Sequence, residues 1–86
     1  MGRVKEVVLY TQPGCGPCVS TKRFLEKYQI AHMTLDIREF PEAAEKVKSF
    51  GYQGTPVVEV ITSSGGFHWN GFRIDKLNHL RDITRQ

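Results

Sequence analysis

The chain has 86 residues, 40% of them hydrophobic and 24% charged, which is enough for one domain over residues 1–86 and little more. Its formal charge of +3 is mild, and basic and acidic residues alternate, as in Arg38-Glu39, Glu45-Lys46 and Arg81-Asp82, with no interleaving of basic and aromatic side chains. A solvated surface is expected rather than a nucleic-acid platform. No apolar run approaches the roughly 20 residues of a membrane helix, so a monomeric protein without a membrane span is expected.

Val4 to Tyr10 is nearly continuous in apolar and β-branched residues, the pattern of a strand covered on both faces. Pro13-Gly14 breaks it, and Cys18, Thr21, Leu25 and Tyr28 then recur at helical spacing. The junction holds Gly14-Cys15-Gly16-Pro17-Cys18, with the only two cysteines of the chain. Residues i and i+3 of a first helical turn share a face, with α-carbons inside the roughly 4.4–6.8 Å that a disulfide spans. So short a loop removes little entropy from the unfolded chain, which makes it a poor staple and points to reversible thiol chemistry.

At the helix N-terminus, unpaired N–H groups and the positive end of the dipole favour a thiolate at Cys15 over a thiol. Pro17 suits a first turn, where a missing N–H costs nothing. Cys15 is therefore read as the attacking nucleophile and Cys18 as the resolving thiol. A structural zinc would need further ligands, and His32, His68 and His79 lack the spacing, so no metal is expected. Met1-Gly2-Arg3 runs directly into the first strand without a secretory pattern, which favours a cytoplasmic redox dithiol over an extracellular crosslink.

Met33, Leu35 and Ile37 then alternate with His32, Thr34 and Asp36, a strand with two unlike faces, joined to the first by a right-handed parallel crossover. Pro41-Glu42 opens a second helix with an apolar face of Phe40, Ala43, Val47 and Phe50, stopped at Gly51. Pro56 to Ile61 reads as a strand, Ser63-Ser64-Gly65-Gly66 as a turn, and Phe67 to Trp69 as the returning strand. A last helix carries Ile74, Leu77, Leu80 and Ile83, with Asp75 near its start and Arg81 and Arg85 near its end to suit the dipole. The order is βαβαββα.

With these elements in place, the chain resembles the thioredoxin superfamily, and most closely its glutaredoxin-like branch, the NrdH-redoxins. The resemblance runs through Tyr10-Thr11, the cysteine pair, Thr21-Lys22, Asp36-Ile37, Pro41-Glu42-Ala43-Ala44 and Thr55-Pro56-Val57-Val58. Its most specific piece is Trp69-Asn70-Gly71-Phe72-Arg73-Ile74-Asp75, similar to a W-S-G-F-R-P-D signature with asparagine for serine and isoleucine for proline. It implies an α/β thioredoxin (glutaredoxin-like) fold with a four-stranded mixed sheet flanked by three helices. It also implies a cis Thr55-Pro56 bond facing the dithiol and presenting backbone groups to a bound partner, like an added strand. Gln12, Gly16 and Pro17 would complete the substrate contact, with Trp69, Gly71, Phe72 and Arg73 bracing the site. Trp69 has an equally plain reading as a core anchor of the hairpin, and Phe67 and Phe72 as packing.

The same resemblance implies a thiol-disulfide oxidoreductase that supplies electrons to ribonucleotide reductase, or to other protein disulfides, and is itself reduced by thioredoxin reductase from NADPH. No cofactor beyond the redox-active disulfide is implied. Gly16-Pro17 is the pair found between the cysteines of thioredoxin, an exchange that tunes reduction potential without changing the reaction. A true thioredoxin would have tryptophan at Gly14, a buried aspartate near Leu9 and a longer N-terminal region. A glutathione-dependent glutaredoxin, the first alternative, typically has a lysine where Gln12 stands and a glycine pair where Gly71-Phe72-Arg73 stands, so glutathione is expected to bind weakly or not at all. The second alternative, a non-catalytic binding module of the same fold, is disfavoured by the intact cysteine pair.

Overall fold

The computed structural model describes residues 3–85. Four strands and three helices alternate as β1 (Val4–Thr11), α1 (Gly16–Lys27), β2 (Met33–Asp36), α2 (Pro41–Ser49), β3 (Val57–Thr62), β4 (Gly65–Asn70) and α3 (Ile74–Thr84). The sheet order is β2-β1-β3-β4. β1 runs parallel to β2, with Val8 opposite Met33, and antiparallel to β3, with Tyr10 opposite Val57. This is the mixed sheet and the βαβαββα order expected from the sequence.

Period-two alternation sorts the strand residues between two cores. On one face, Val7, Leu9, Val58, Val60 and Trp69 pack with Leu25 of α1 and Leu77 and Leu80 of α3. On the other, Val8, Tyr10 and Val57 meet Ala43 and Val47 of α2. The run Val7 to Tyr10 is buried throughout because β1 is an inner strand covered from both sides.

The boundaries differ from the sequence reading at several points. The hairpin turn is only Ser63-Ser64, since Thr62 pairs with Gly65, so β4 starts earlier and ends later than Phe67 to Trp69. His32 lies outside β2, and Met33 is half exposed because β2 is an edge strand with nothing over its first residue. Phe40 and Ile74, placed on core faces by spacing, are exposed. Phe40 is the N-cap of α2 and Ile74 the first residue of α3, so each sits where the helix has barely begun to face the sheet.

Candidate redox site at the start of α1

β1 delivers the chain to a loop in which Gly14 takes φ +76°, a left-handed value that favours glycine. Cys15 follows as the N-cap of α1, in extended conformation, and its Sγ accepts the backbone N–H of Cys18 at 3.2 Å. The cap position is usually filled by an oxygen-bearing side chain, so here sulfur does the work of a cap. Pro17 lies in the first turn, and its carbonyl accepts the hydroxyl of buried Thr21 at 2.8 Å, tying that turn to the next.

Cys15 and Cys18 form a disulfide with α-carbons 5.2 Å apart. Their surroundings are unequal: Cys15 is half-buried, whereas Cys18 is 3% exposed. The first turn of α1 has no acidic residue, so no negative charge in that turn opposes the dipole at Cys15.

Opposite the disulfide lies the loop that enters β3. The Thr55–Pro56 bond is cis, and the carbonyl oxygen of Thr55 is 3.7 Å from Cys15 Sγ. Pro56 is buried, while Gly16 and Pro17 are exposed beside the cysteines and Gln12 is half-buried in the loop leaving β1. The structure thus brings Cys15, Cys18, Thr55 and Pro56 to one end of the sheet, with Gly16 and Pro17 on the same helical turn.

The segment after β3 divides differently from expectation. Gly71 donates its N–H to the Pro56 carbonyl at 2.8 Å. Trp69 lies in the core with Leu77 and Leu80, the plain reading of a hairpin anchor, and its Nε1 has no hydrogen-bond partner among the described residues. Arg73 turns to Asp75, at 2.9 and 3.1 Å, and both side chains are in solvent. The guanidinium holds the Asp75 carboxyl below its ordinary range. Phe72 is 42% exposed, so it is not a packing residue. The residue the sequence reading passed over is Asn70, whose amide Nδ2 donates to the carbonyls of Gly54 at 2.9 Å and Pro56 at 3.1 Å. The signal for it was the departure from serine at that position of the tail motif.

The histidines are engaged elsewhere: His32 with the Ile30 carbonyl, His68 stacked on Phe50 and bonded to the Tyr52 hydroxyl, and His79 against Phe67.

A disulfide capping a helix and facing a cis-proline loop on a mixed four-stranded sheet defines a thioredoxin-fold disulfide oxidoreductase. Comparison with known proteins narrows the class. The glutaredoxin family model matches residues 7–62. The glutaredoxin-like protein NrdH of Escherichia coli K12 is 34% identical over 74 residues, covering 86% of each chain. That of Lactococcus lactis subsp. cremoris is 32% identical over 74 residues, covering 86% of this chain and 97% of the relative. The solved structure of Escherichia coli NrdH-redoxin, a glutaredoxin-like protein with a thioredoxin-like activity profile, superposes with a TM-score of 0.76 at 33% identity, covering 88% of this chain and 95% of the other. The chain belongs to the glutaredoxin family, among the NrdH-redoxins.

Proposed function

We propose that this redoxin is a cytoplasmic electron donor, reduced by thioredoxin reductase at the expense of NADPH, and that it passes the electrons to ribonucleotide reductase or to other protein disulfides. The thioredoxin-like activity profile of the Escherichia coli relative supports this choice of reductase over glutathione. In the reduced protein, the Cys15 thiolate attacks one sulfur of the partner disulfide, forms a mixed disulfide and expels a partner thiolate. Cys18, as thiolate, then attacks Cys15 Sγ and re-forms the internal disulfide as the second partner thiolate leaves. Two electrons reach the partner, and its two thiolates take up the protons that Cys15 and Cys18 gave up.

The observation that carries the assignment of roles is the unequal burial of the two sulfurs around one amide. Half-buried Cys15 accepts the Cys18 N–H at 3.2 Å and is the sulfur a partner can approach, while buried Cys18 is reached only from within the molecule. Thr55 and Pro56, beside Cys15, would present backbone to the partner segment.

The discriminating experiment follows NADPH oxidation coupled to insulin-disulfide reduction with two reducing systems in turn. Turnover with thioredoxin reductase is expected. Turnover only with glutathione and glutathione reductase would replace this reading by the glutaredoxin one, and absence of turnover with either would leave a binding module.

A further inference from the structure

We propose that Asn70 is a positioning residue for the redox site: its side-chain amide holds the loop carrying Thr55 at a set distance from Cys15. The inference rests on the reading of Cys15 as the attacking sulfur. Asn70 ends β4 and pairs in the sheet with Val57, so its backbone is anchored one residue beyond Pro56 on the neighbouring strand. From there Nδ2 reaches the carbonyls of Gly54 and Pro56, at 2.9 and 3.1 Å, which flank Thr55 on either side. Gly71 adds a third bond to the Pro56 carbonyl.

Two hydrogens on one nitrogen make this double contact. A serine hydroxyl has a single hydrogen and a shorter reach, and can satisfy at most one of the two carbonyls. An aspartate has the right shape but only acceptors, and would set a carboxylate against two carbonyl oxygens. The bond to Gly54 lies on the exposed rim and the bond to Pro56 is part-buried, and together they decide the placement of a carbonyl that is not itself bonded to Asn70.

That carbonyl matters because it and the Cys18 amide act on Cys15 Sγ with opposite sign. In the reduced protein the Cys18 N–H stabilises the thiolate, whereas the Thr55 oxygen, 3.7 Å from Sγ, accepts from the thiol and repels the thiolate. The clamp therefore fixes one of two competing contributions to the ionisation of Cys15. It also fixes the backbone with which a partner segment would pair beside the sulfur. Releasing it should weaken partner binding and shift ionisation of Cys15 to lower pH.

The test compares the wild-type chain with Asn70→Ala and Asn70→Ser in two assays, with circular dichroism and melting to establish the fold. The first follows reduction of a fluorescent peptide disulfide with dithiothreitol as terminal reductant. For Asn70→Ala, KM is expected to rise about five- to tenfold, the equivalent of one hydrogen bond, with a smaller change in kcat. The second measures the rate of Cys15 alkylation by iodoacetamide against pH in the reduced protein. Its midpoint should move to lower pH in Asn70→Ala and less far in Asn70→Ser, which keeps one donor. A folded Asn70→Ala protein with the wild-type KM and alkylation profile overturns the proposal. So does a lower melting temperature with the alkylation profile unmoved, which would leave Asn70 a structural residue only. If the wild-type chain itself fails to reduce the peptide, the proposed function falls, and the alkylation profile, which needs no substrate, still decides the role of Asn70.

Discussion

Helices α1 and α2 are punctuated alike at both ends and differ in what caps their starts. Each has a proline in its first turn. Each ends in the same six-residue hydrogen-bonded motif: Ile30 N–H to the Leu25 carbonyl and Gln29 to Glu26 in α1, Tyr52 to Val47 and Gly51 to Lys48 in α2. At the start, however, α2 follows Phe40 with no side-chain cap, whereas α1 is capped by Cys15 Sγ. A helix of this length does without a side-chain cap when packing holds it, so the sulfur at the head of α1 is free to serve chemistry.

The same two helices dock on the sheet by different means. α1 buries Cys18, Thr21 and Leu25, with the Thr21 hydroxyl turned back to the Pro17 carbonyl, and joins a core that includes Leu9, Val58, Val60 and Leu77. α2 buries Ala43 and Val47, and beside them Lys46 lies 3.7 Å from Glu59, which accepts the Tyr10 hydroxyl at 2.7 Å. The redox helix is thus mounted on an aliphatic core, and the Tyr10–Glu59–Lys46 contact lies under α2 on the other face of the sheet.

The largest expected effect separates cap from nucleophile. Cys15→Ser keeps an oxygen at the N-cap, among the best capping side chains, and removes the sulfur. Turnover in the insulin assay should vanish while the melting temperature of the reduced protein stays near that of the reduced wild type. Residual turnover would show that the first sulfur is dispensable and end the proposed assignment.

An intermediate effect tests the polar contact under α2. Tyr10→Phe should cost about 1.5–3 kcal/mol at neutral pH, the range for a hydrogen bond to a charged acceptor. Burial first, then the bond to Glu59, raises the Tyr10 hydroxyl above its ordinary value of about 10. Because the folded state favours the neutral phenol, its contribution is complete below pH 10 and is lost as pH rises further. Urea unfolding at pH 7, 9 and 11 should show the gap between wild type and Tyr10→Phe narrowing only at the last point. A constant gap would mean that Tyr10 acts through packing alone.

The smallest effect compares the two helix ends. Gly51 and Gln29 occupy the same place with φ +89° and +54°, and a Cβ on Gly51 would meet nothing within 4 Å. Gly51→Ala should therefore destabilise by about 1 kcal/mol through backbone conformation alone, and Gln29→Gly should stabilise by less than that. Opposite signs in denaturant midpoints are the signature, and equal signs would break the equivalence of the two termini.

Those helix ends also show how much could be read in advance. Gly51 announces the end of α2 because glycine takes positive φ without penalty, whereas Gln29 announces nothing, since its conformation follows from Ile30 being drawn into the core against Leu25. Of the site, Cys15, Cys18 and Pro17 were legible from local spacing, and Thr55-Pro56 through family resemblance. Asn70 was not, because its partners, Gly54 and Pro56, lie in the loop entering β3 and meet it only through the β3–β4 register. Phe72 departs from its packing reading for a similar reason: Trp69 anchors the core from β4, as one of its two readings had it, whereas Phe72 lies past the strand's end.

Periodicity, punctuation and cysteine spacing by themselves determined the order of elements, the redox pair and its place at the head of a helix, because each depends on interactions within a few residues. Only the tertiary structure decided which sulfur is open, which carbonyl faces it and which side chain holds that carbonyl. Those depend on strand register and on which face each element covers, and both are settled when distant segments pack together.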